Sequence, residues 1–345
     1  MTASLVVQTS FLGDTVLTTP LLAWLARSGP VDVLCTPAAG ALLENHPAVR
    51  RVILYDKRGE DRGWRGMLQL AATLRQGEYA SAYFAQGSVR SGMLGWLARI
   101  PDRVGFAGSA GRRFYTAKIA PIENMHHAAR LLSLGTRDPL APVPPSELRP
   151  RLYPGEREKR TVDELLAANR ATNDQLIALA PGSVWATKRW PYYAELAALL
   201  TGDARTVVIG SAADRELAEA IVRGAKGRAI DATGKLSLLA SAELIRRASA
   251  IVTNDSSPLH LASAMNTPTV AIFGPTVPEF GFGPLAEHSV VLGHASLACR
   301  PCDRHGPKQC PLGHWRCMRE ITPEDVARAV RNVVSAAKAS TLSTP

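Results

Sequence analysis

Three short segments of this 345-residue sequence place ionisable side chains directly after a predicted strand. The first, residues 8–14, reads Gln-Thr-Ser-Phe-Leu-Gly-Asp and lies between a strand at 5–8 and a helix from 15. Asp14 is then expected at the carboxyl edge of a sheet, where its carboxylate suits a general base. Gly13 would allow a tight turn or the close approach of a substrate. The competing interpretation is that Asp14 caps the helix.

The second segment, residues 180–191, reads Ala-Pro-Gly-Ser-Val-Trp-Ala-Thr-Lys-Arg-Trp-Pro after a strand at 176–180. Ser183 offers a hydroxyl to an anion, and Thr187 is a further candidate on the same loop. Lys188 is a flexible positive charge suited to a diphosphate. Pro191 fits the first position of a helix. The alternative is an exposed basic turn in which Trp190 only packs against the domain.

The third segment, residues 252–260, reads Val-Thr-Asn-Asp-Ser-Ser-Pro-Leu-His and opens a predicted helix at 257–265. Asp255, Ser256 and Ser257 cluster at its N-terminus, where unpaired N–H groups and the helix dipole favour a phosphate. An aspartate there would repel a diphosphate unless it bonds hydroxyls or fixes the loop. His260 is expected about one turn into the helix. Alternatively, one of the serines merely caps it.

The elements that position these segments alternate between short apolar strands and helices, which predicts βαβ units and parallel sheets. Residues 138–154 contain six prolines. Because proline lacks an N–H donor, we predict an interdomain linker there, with neither helix nor central strand. The predicted fold is α/β, with two Rossmann-like domains at 1–155 and 156–345. A ligand cleft is expected between them, outside the carboxyl ends of the strands.

Several classes of protein are excluded or unsupported. The motifs G-x-G-x-x-G, G-x-x-x-x-G-K-[ST], G-x-S-x-G and H-E-x-x-H are absent, so dinucleotide, Walker-type, serine-hydrolase and zincin sites lack support. Apolar runs fall far short of the roughly 20 residues of a spanning helix. The first residues show no basic region typical of a secretory signal, which favours a cytoplasmic location.

The net charge of +10 comes from 40 Lys and Arg against 30 Asp and Glu. Most of the excess lies in residues 1–155. It fits nucleic acid, an anionic membrane surface, a phosphorylated substrate or simply a solvated basic face. No dense Lys/Arg run occurs, which argues against nucleic acid.

Four of the five cysteines cluster at Cys299, Cys302, Cys310 and Cys317, with two histidines among them. In a cytosolic protein this spacing favours a metal over disulfides, and four thiolates would form a closed structural zinc site. Free thiols or a redox-labile loop are the alternatives. Cys35, at the end of a strand, is predicted to be a buried apolar thiol.

Together these segments resemble the glycosyltransferase family 9 heptosyltransferases of lipopolysaccharide core synthesis. The resemblance spans almost the whole chain and is closer to heptosyltransferase II than to heptosyltransferase I. It rests on "LGD" ending at Asp14, "PGSVWATKRWP" at 181–191, "TNDSSPLH" and "FGPT" at 253–276, "RVGFAGSAGRRFYT" at 103–116, and the helix with His127 and Arg130. The sequence departs at Ser257-Pro258, where many members have glycine followed by a bulkier residue.

The resemblance implies a GT-B fold whose N-terminal domain takes the acceptor and whose C-terminal domain takes ADP-L-glycero-β-D-manno-heptose. Transfer would invert the anomeric centre and need no catalytic metal. Asp14 would be the base and Lys188 the diphosphate ligand. The residues implied at the nucleotide-sugar end are Asp255, Ser256, Ser257 and His260, with Asp214 or Glu216 at the ribose. The family often shows a comparable cysteine segment, which implies a structural role.

The implied acceptor is a glycolipid of the heptosyl-Kdo2-lipid A type. Basic residues of the first half would meet its acidic sugars and phosphates, or hold the enzyme against the cytoplasmic face of the inner membrane. These candidates are Lys57, Arg58, Arg62, Arg65, Arg112 and Arg113.

Other functions remain open at this point. One alternative is a related transferase that uses a different sugar or catalyses the heptosyltransferase I step. A nucleotide-sugar epimerase or hydrolase on the same scaffold would need a further acid/base pair, which the sequence does not show. A non-catalytic nucleotide-sugar binding protein is disfavoured by the presence of both Asp14 and Lys188.

Overall fold

The chain divides into two compact units, Met1–Tyr153 and Pro154–Pro345. The computed structural model describes residues 2–57, 59 and 61–342. The division lies two residues before the boundary expected from the sequence.

The first unit contains one six-stranded sheet. Its strands are β1 (Ser4–Gln8), β2 (Val31–Cys35), β3 (Arg51–Leu54), β4 (Ser81–Phe84), β5 (Asp102–Phe106) and β6 (Ala117–Ile119). Its helices are α1 (Leu12–Ala26), α2 (Pro37–Leu43), α3 (Gly63–Gln76), α4 (Val89–Leu97), α5 (His127–Thr136) and α6 (Pro145–Leu148). All neighbouring strands pair in parallel, in the order β3-β2-β1-β4-β5-β6.

The second unit repeats this plan. Its strands are β7 (Leu176–Ala180), β8 (Arg205–Val208), β9 (Ala229–Asp231), β10 (Ala250–Asn254), β11 (Thr269–Phe273) and β12 (Ser289–Gly293). Its helices are α7 (Glu156–Ala168), α8 (Tyr193–Leu200), α9 (Arg215–Gly224), α10 (Leu238–Arg247), α11 (Ser257–Met265), α12 (Arg316–Arg319) and α13 (Pro323–Leu342). The parallel order is β12-β11-β10-β7-β8-β9.

The two sheets have the same topology, because in each the first strand lies beside the fourth. The strand order reverses between β1 and β4 in one unit and between β7 and β10 in the other. Ligands of such sheets bind outside the carboxyl ends of the strands at this reversal. The predicted α/β class with two Rossmann-like halves is confirmed.

Both faces of the first sheet are covered by helices. Along β1 the side chains alternate, with Leu5 and Val7 on one face and Val6 on the other. Helices α3 and α4 pack against the first face, whereas α1, α2 and α5 pack against the second. Burial on both faces explains why the central strands are almost wholly apolar.

The proline-rich stretch differs from the prediction. It contains the short helix α6, whose first residue is Pro145, a position where the missing N–H costs nothing. The stretch also packs on the first unit: the Arg151 N–H donates to Thr19 Oγ1 at 3.0 Å, and Glu147 pairs with Arg27 at 2.9 Å. It is therefore mostly part of the first unit and not a separate linker.

Two buried groups of the first unit titrate far from their usual range. Burial raises the pKa of Cys35 to about 12, which confirms the buried thiol predicted there. Burial also lowers the pKa of His46 to about 4. His46 Nδ1 accepts the Ala48 N–H at 3.2 Å, so a proton on that nitrogen would break the bond.

Among the described residues, no helix has the length and apolar character needed to cross a membrane.

We expect the stability of the first unit to fall on acidification because of His46. Its folded pKa lies below the value near 6.5 of the unfolded chain, so only the unfolded chain gains a proton between those values. Stability is then complete above about pH 6.5 and decreases towards pH 4, by about 2 kcal/mol at pH 5. Urea unfolding at pH 7.5 and 5.0 measures this. A His46→Asn variant with the same pH dependence as the wild type would contradict it.

Candidate active site

Asp14 lies at the carboxyl edge of the first sheet, in the first turn of α1. Its Oδ2 accepts the Ser10 hydroxyl at 2.7 Å, and its Oδ1 lies 3.6 Å from Nε2 of His127. The side chain is 18% exposed. One oxygen of the Asp14 carboxylate is thus hydrogen-bonded to Ser10, and the side chain remains partly accessible, as a general base requires.

The capping interpretation of Asp14 is wrong. The N-cap of α1 is Phe11, and no side chain makes a capping hydrogen bond there. The tight turn expected at Gly13 is also wrong, since Gly13 is the second residue of α1. Because the helix begins before Gly13, this glycine has helical backbone angles that any residue could adopt. The close approach of a substrate to Gly13 stays a prediction.

Polar groups from the loops after β1, β3 and β4 surround the start of α1. The Lys57 ammonium donates to the Thr9 carbonyl at 3.3 Å. Gln86 Oε1 accepts the hydroxyls of Thr9 at 3.3 Å and Ser91 at 2.9 Å. These bonds connect the two loops that flank the reversal of strand order, which is where a ligand is expected.

In the second unit, Lys188 and Asp255 meet at the corresponding reversal. Lys188 ends a 3-10 turn at Ala186–Lys188 after β7, and Asp255 follows β10. Lys188 Nζ lies 2.5 Å from Asp255 Oδ2, and the two side chains are only 10% and 11% exposed. The Thr276 hydroxyl donates to the same carboxylate oxygen at 2.7 Å. The exposed basic turn is therefore wrong for Lys188, although Arg189 beside it is exposed.

The ion pair between Lys188 and Asp255 explains why an aspartate lies beside the predicted diphosphate site. Asp255 holds the ammonium of Lys188 in place and so fixes the loop, one of the two roles considered from the sequence. Asn254 connects the same loops, because its side chain accepts the Trp190 N–H at 3.1 Å and donates to the Pro181 carbonyl at 2.9 Å. Trp190 is buried in the second core and donates to the Ile321 carbonyl at 2.9 Å.

Three other predicted donor residues lie at the start of α11 or within its first turns. Ser256 is the N-cap of α11, but it makes no side-chain capping bond, and Ser257 begins the helix. His260 is buried one turn further on, with its ring 6.1 Å from that of Phe282. Helix α8 begins at Tyr193, so Pro191 precedes the helix instead of opening it.

Asp214 lies against the loop after β7, because a methyl group built on Gly182 would come within 2.5 Å of its Oδ1. Its Oδ2 accepts the N–H and hydroxyl of Ser211 at 2.8 and 2.9 Å. Glu216 is exposed in the first turn of α9. Ser183 Oγ accepts the Trp185 N–H at 3.3 Å. Asp214 is therefore nearer to the predicted nucleotide loop than its distance in sequence suggests.

The cysteine segment packs on the donor-side loops. The buried Thr187 hydroxyl donates to the Pro307 carbonyl, and Gly306 adopts φ +83° directly against the Lys188 side chain. The Trp185 and His305 rings stack at 6.5 Å. The Cys302 N–H donates to the Pro275 carbonyl at 2.9 Å, next to Thr276. The segment thus supports both Lys188 and the threonine that holds its partner.

The four cysteines of the segment influence one another electrostatically. Burial and neighbouring thiolates raise the pKa of Cys302, and burial chiefly raises that of Cys317 to about 11. At Cys310, burial is outweighed by the backbone N–H groups of residues 312–315, which lower the pKa. Cys299 Sγ lies 3.8 Å from His314 Nε2. Within the described part of the chain, no three His, Cys, Asp or Glu side chains gather to hold a metal ion.

The predicted acceptor arginines are surface residues of the first unit. Arg62 is the N-cap of α3, and Arg112 and Arg113 lie in an exposed 3-10 turn, Arg112–Phe114. Arg58 lies outside the described residues.

Sequence reasoning missed three polar partners. Ser10 precedes Asp14 by four residues, a spacing that brings side chains together around a helix start. His127 and Thr276 were noted only as parts of motifs, because their contacts span 113 and 21 residues of sequence. The position of Thr276, three residues after the end of strand β11, was the available signal.

Comparisons with known proteins agree with this geometry. Residues 67–315 match glycosyltransferase family 9 (heptosyltransferase). Lipopolysaccharide heptosyltransferase 2 of Salmonella typhimurium is 27% identical over 96% of this chain and 98% of that protein. Lipopolysaccharide heptosyltransferase 1 of Pseudomonas aeruginosa is 31% identical over 86% and 85%. The structure of Escherichia coli ADP-heptose LPS heptosyltransferase II superposes with a TM-score of 0.80, at 25% identity over 98% of this chain and all of that one.

Each α/β unit contains one parallel sheet with polar residues at its reversal of strand order. Together with the structural similarity to heptosyltransferase II, this architecture defines a glycosyltransferase of the GT-B class. The chain belongs to glycosyltransferase family 9, the heptosyltransferase family. The resemblance inferred from the sequence motifs is thereby confirmed.

Proposed function

We propose that this enzyme transfers L-glycero-D-manno-heptose from ADP-heptose to a heptosyl-Kdo2-lipid A type acceptor in the inner core of lipopolysaccharide. The observation that carries the proposal is the meeting of Lys188, Asp255 and Thr276 at the strand reversal of the second sheet. In a family 9 chain, a buried ammonium at that position suits the diphosphate of a nucleotide sugar. The names of the relatives, which include both heptosyltransferases 1 and 2, support heptose as the sugar.

Asp14 acts as the base in this proposal. It takes the proton of the acceptor hydroxyl as that oxygen bonds to the anomeric carbon, and the bond from this carbon to the diphosphate oxygen breaks. Such proton transfer is typically worth 10²–10⁴-fold. Attack opposite to the departing ADP inverts the anomeric centre. Ser10 orients the carboxylate, and no metal is needed for this step.

Lys188 stabilises the negative charge that develops on the departing diphosphate. The N–H groups at Ser256 and Ser257 begin α11 and add partial positive charge at the same edge of the sheet. Ser183, Thr187 and His260 complete the proposed donor side, and Asp214 or Glu216 bonds the ribose. The acceptor side consists of Gly13, Arg58, Arg62, Arg112 and Arg113. We further propose a cytoplasmic enzyme associated with the inner membrane.

The cysteine segment is proposed to hold a structural zinc ion through Cys299, Cys302, Cys310 and Cys317, whose thiols the metal would have to draw together, since they are not gathered around one point in the described structure. The N–H groups directed at Cys310 favour its thiolate, the form that binds zinc. Metal bound there would fix the segment that packs on Lys188. We expect about one zinc per chain in purified protein and weaker ADP binding after chelation. Less than about 0.2 zinc per chain would contradict the site.

A donor panel tests the proposed reaction. The enzyme is incubated with a deacylated inner-core acceptor and with ADP-heptose, ADP-glucose or UDP-glucose, and nucleotide diphosphate release is measured. We expect release from ADP-heptose only, and only when acceptor is present. Preferred use of another donor would support a family 9 transferase of different specificity. Conversion of ADP-heptose without acceptor would support an epimerase or hydrolase.

A further inference from the structure

Helices α3 and α4 expose four large apolar side chains. Trp64 and Leu68 of α3 are 55% and 43% exposed, and Val89 and Trp96 of α4 are 50% and 55% exposed. We call this surface, together with Arg65 and Arg99, the α3–α4 face. Single exposed apolar residues are common on proteins, but a continuous group usually marks an interaction surface.

The spacing of these residues places each pair on one side of its helix, and the two helices are neighbours. Trp64 and Leu68 are four residues apart on one side of α3, and Val89 and Trp96 are seven apart on one side of α4. The two helices lie side by side and in the same direction. Arg90 of α4 donates to the Asp61 and Gly63 carbonyls at the start of α3, both at 3.1 Å, and Arg75 near the end of α3 donates to the Leu97 carbonyl at 2.7 Å.

The exposed side chains are not displaced members of the core. The inner sides of the same helices supply Met67, Leu70, Leu74 and Leu94 to the buried cluster above the sheet. On a helical wheel, Trp64 and Leu68 flank the buried positions of α3, whereas Val89 and Trp96 lie opposite those of α4. The Trp96 ring lies 6.2 Å from that of Phe114, which extends the apolar surface to the turn with Arg112 and Arg113.

The charge around the face is positive. Residues 60–113 contain eight arginines and four acidic residues, Glu60, Asp61, Glu78 and Asp102. Asp102 is paired with Arg137. Arg65 and Arg99 are exposed beside the tryptophans. Tryptophan prefers the boundary between headgroups and acyl chains, and arginine is attracted to anionic headgroups.

We infer that the α3–α4 face docks on an anionic lipid bilayer, with Trp64 and Trp96 in the interface and the arginines on the lipid phosphates. The inference rests on the membrane association proposed above and assigns it to one surface. The exposed apolar and cationic side chains of these two helices together have the chemistry that binds the interface of an anionic membrane.

Flotation with vesicles tests this surface. Vesicles of phosphatidylethanolamine with phosphatidylglycerol are compared with neutral phosphatidylcholine vesicles, for the wild type and two double variants. We expect the wild type to bind only the anionic vesicles. Trp64→Ser with Trp96→Ser, and Arg65→Gln with Arg99→Asn, should each reduce that binding roughly tenfold. Higher salt should weaken the wild-type binding.

Two matched controls remove the same chemistry elsewhere. Leu140→Ser removes an exposed apolar side chain of the first unit, and Arg223→Gln with Arg228→Gln removes two exposed charges of the second. Both should bind vesicles within about twofold of the wild type. Equal binding by the wild type and the tryptophan variant would overturn the assignment, as would a wild type that binds no anionic vesicle.

Transfer to a water-soluble deacylated acceptor separates this inference from the proposed reaction. We expect the tryptophan variant to keep its wild-type rate on that acceptor while losing vesicle binding, which supports the docking face. A tryptophan variant that loses both would indicate damage to the fold and overturn the assignment. If no protein transfers heptose but vesicle binding follows the expected pattern, the proposed reaction fails and the docking face is supported.

Discussion

Asp14→Asn is expected to lower the rate of sugar transfer by about two to four orders of magnitude while ADP binding persists. Asparagine has the shape of aspartate and still accepts the Ser10 hydroxyl, but it cannot take a proton from the acceptor. ADP binding should survive because Asp14 belongs to the first unit, whereas the residues proposed for the donor belong to the second. Single-turnover rates with saturating donor, together with ADP titration, measure both quantities.

Two further variants show whether the loss reflects the base. Asp138→Asn removes an exposed carboxylate of the same unit and should leave the rate unchanged. Ser10→Ala removes the 2.7 Å bond to Asp14 and should reduce kcat roughly tenfold, since a hydrogen bond to a charged group is worth about 1.5 kcal/mol or more. Near-normal turnover in Asp14→Asn would exclude Asp14 as the base.

The second large effect is expected for Lys188→Ala, which should raise the donor KM and lower kcat. Loss of a preorganised charge at the leaving group typically costs 10²–10³-fold. The variant also leaves the Asp255 carboxylate buried and unpaired, so the protein should lose about 3 kcal/mol of stability. Initial rates over a range of donor concentrations and urea unfolding measure these two effects.

A paired variant separates catalysis from stability. Lys188→Met with Asp255→Asn removes both charges, and it should recover much of the stability without recovering activity. Lys235→Ala removes an exposed lysine of the same unit and serves as the control. Unchanged donor KM and kcat in Lys188→Ala would rule out its role at the diphosphate.

Much of the fold was predictable because the central strands are short apolar runs. Strand β7 and helix α11 have the bounds expected from the sequence. Three strands (β5, β6 and β12) and three helices (α4, α6 and α12) were missed. Strand β5 begins with Asp102 and Arg103 and contains a glycine, β6 has three residues, and β12 is half-exposed, so none shows the apolar run of a central strand. Helix α4 was not predicted because it contains two glycines, which destabilise the interior of a helix.

The candidate site was predictable in position but not in its contacts. A residue after a parallel strand must lie at the carboxyl edge, which located Asp14, Lys188 and Asp255. The burial of Lys188 depends on Asp255, 67 residues away, and on a cysteine segment more than 100 residues away. No local pattern encodes such contacts. The exposed basic turn, which the sequence left open as the alternative for Lys188, is replaced by a buried ion pair.

The central claim is transfer of heptose to the inner core, and mass spectrometry of the product tests it most directly. The enzyme is given ADP-heptose with Kdo2-lipid A or with heptosyl-Kdo2-lipid A. We expect the mass of the second acceptor to increase by one heptose and the first to stay unchanged. Product on the first acceptor only would indicate the heptosyltransferase I step. No heptose on either acceptor, with donor intact, would contradict the account.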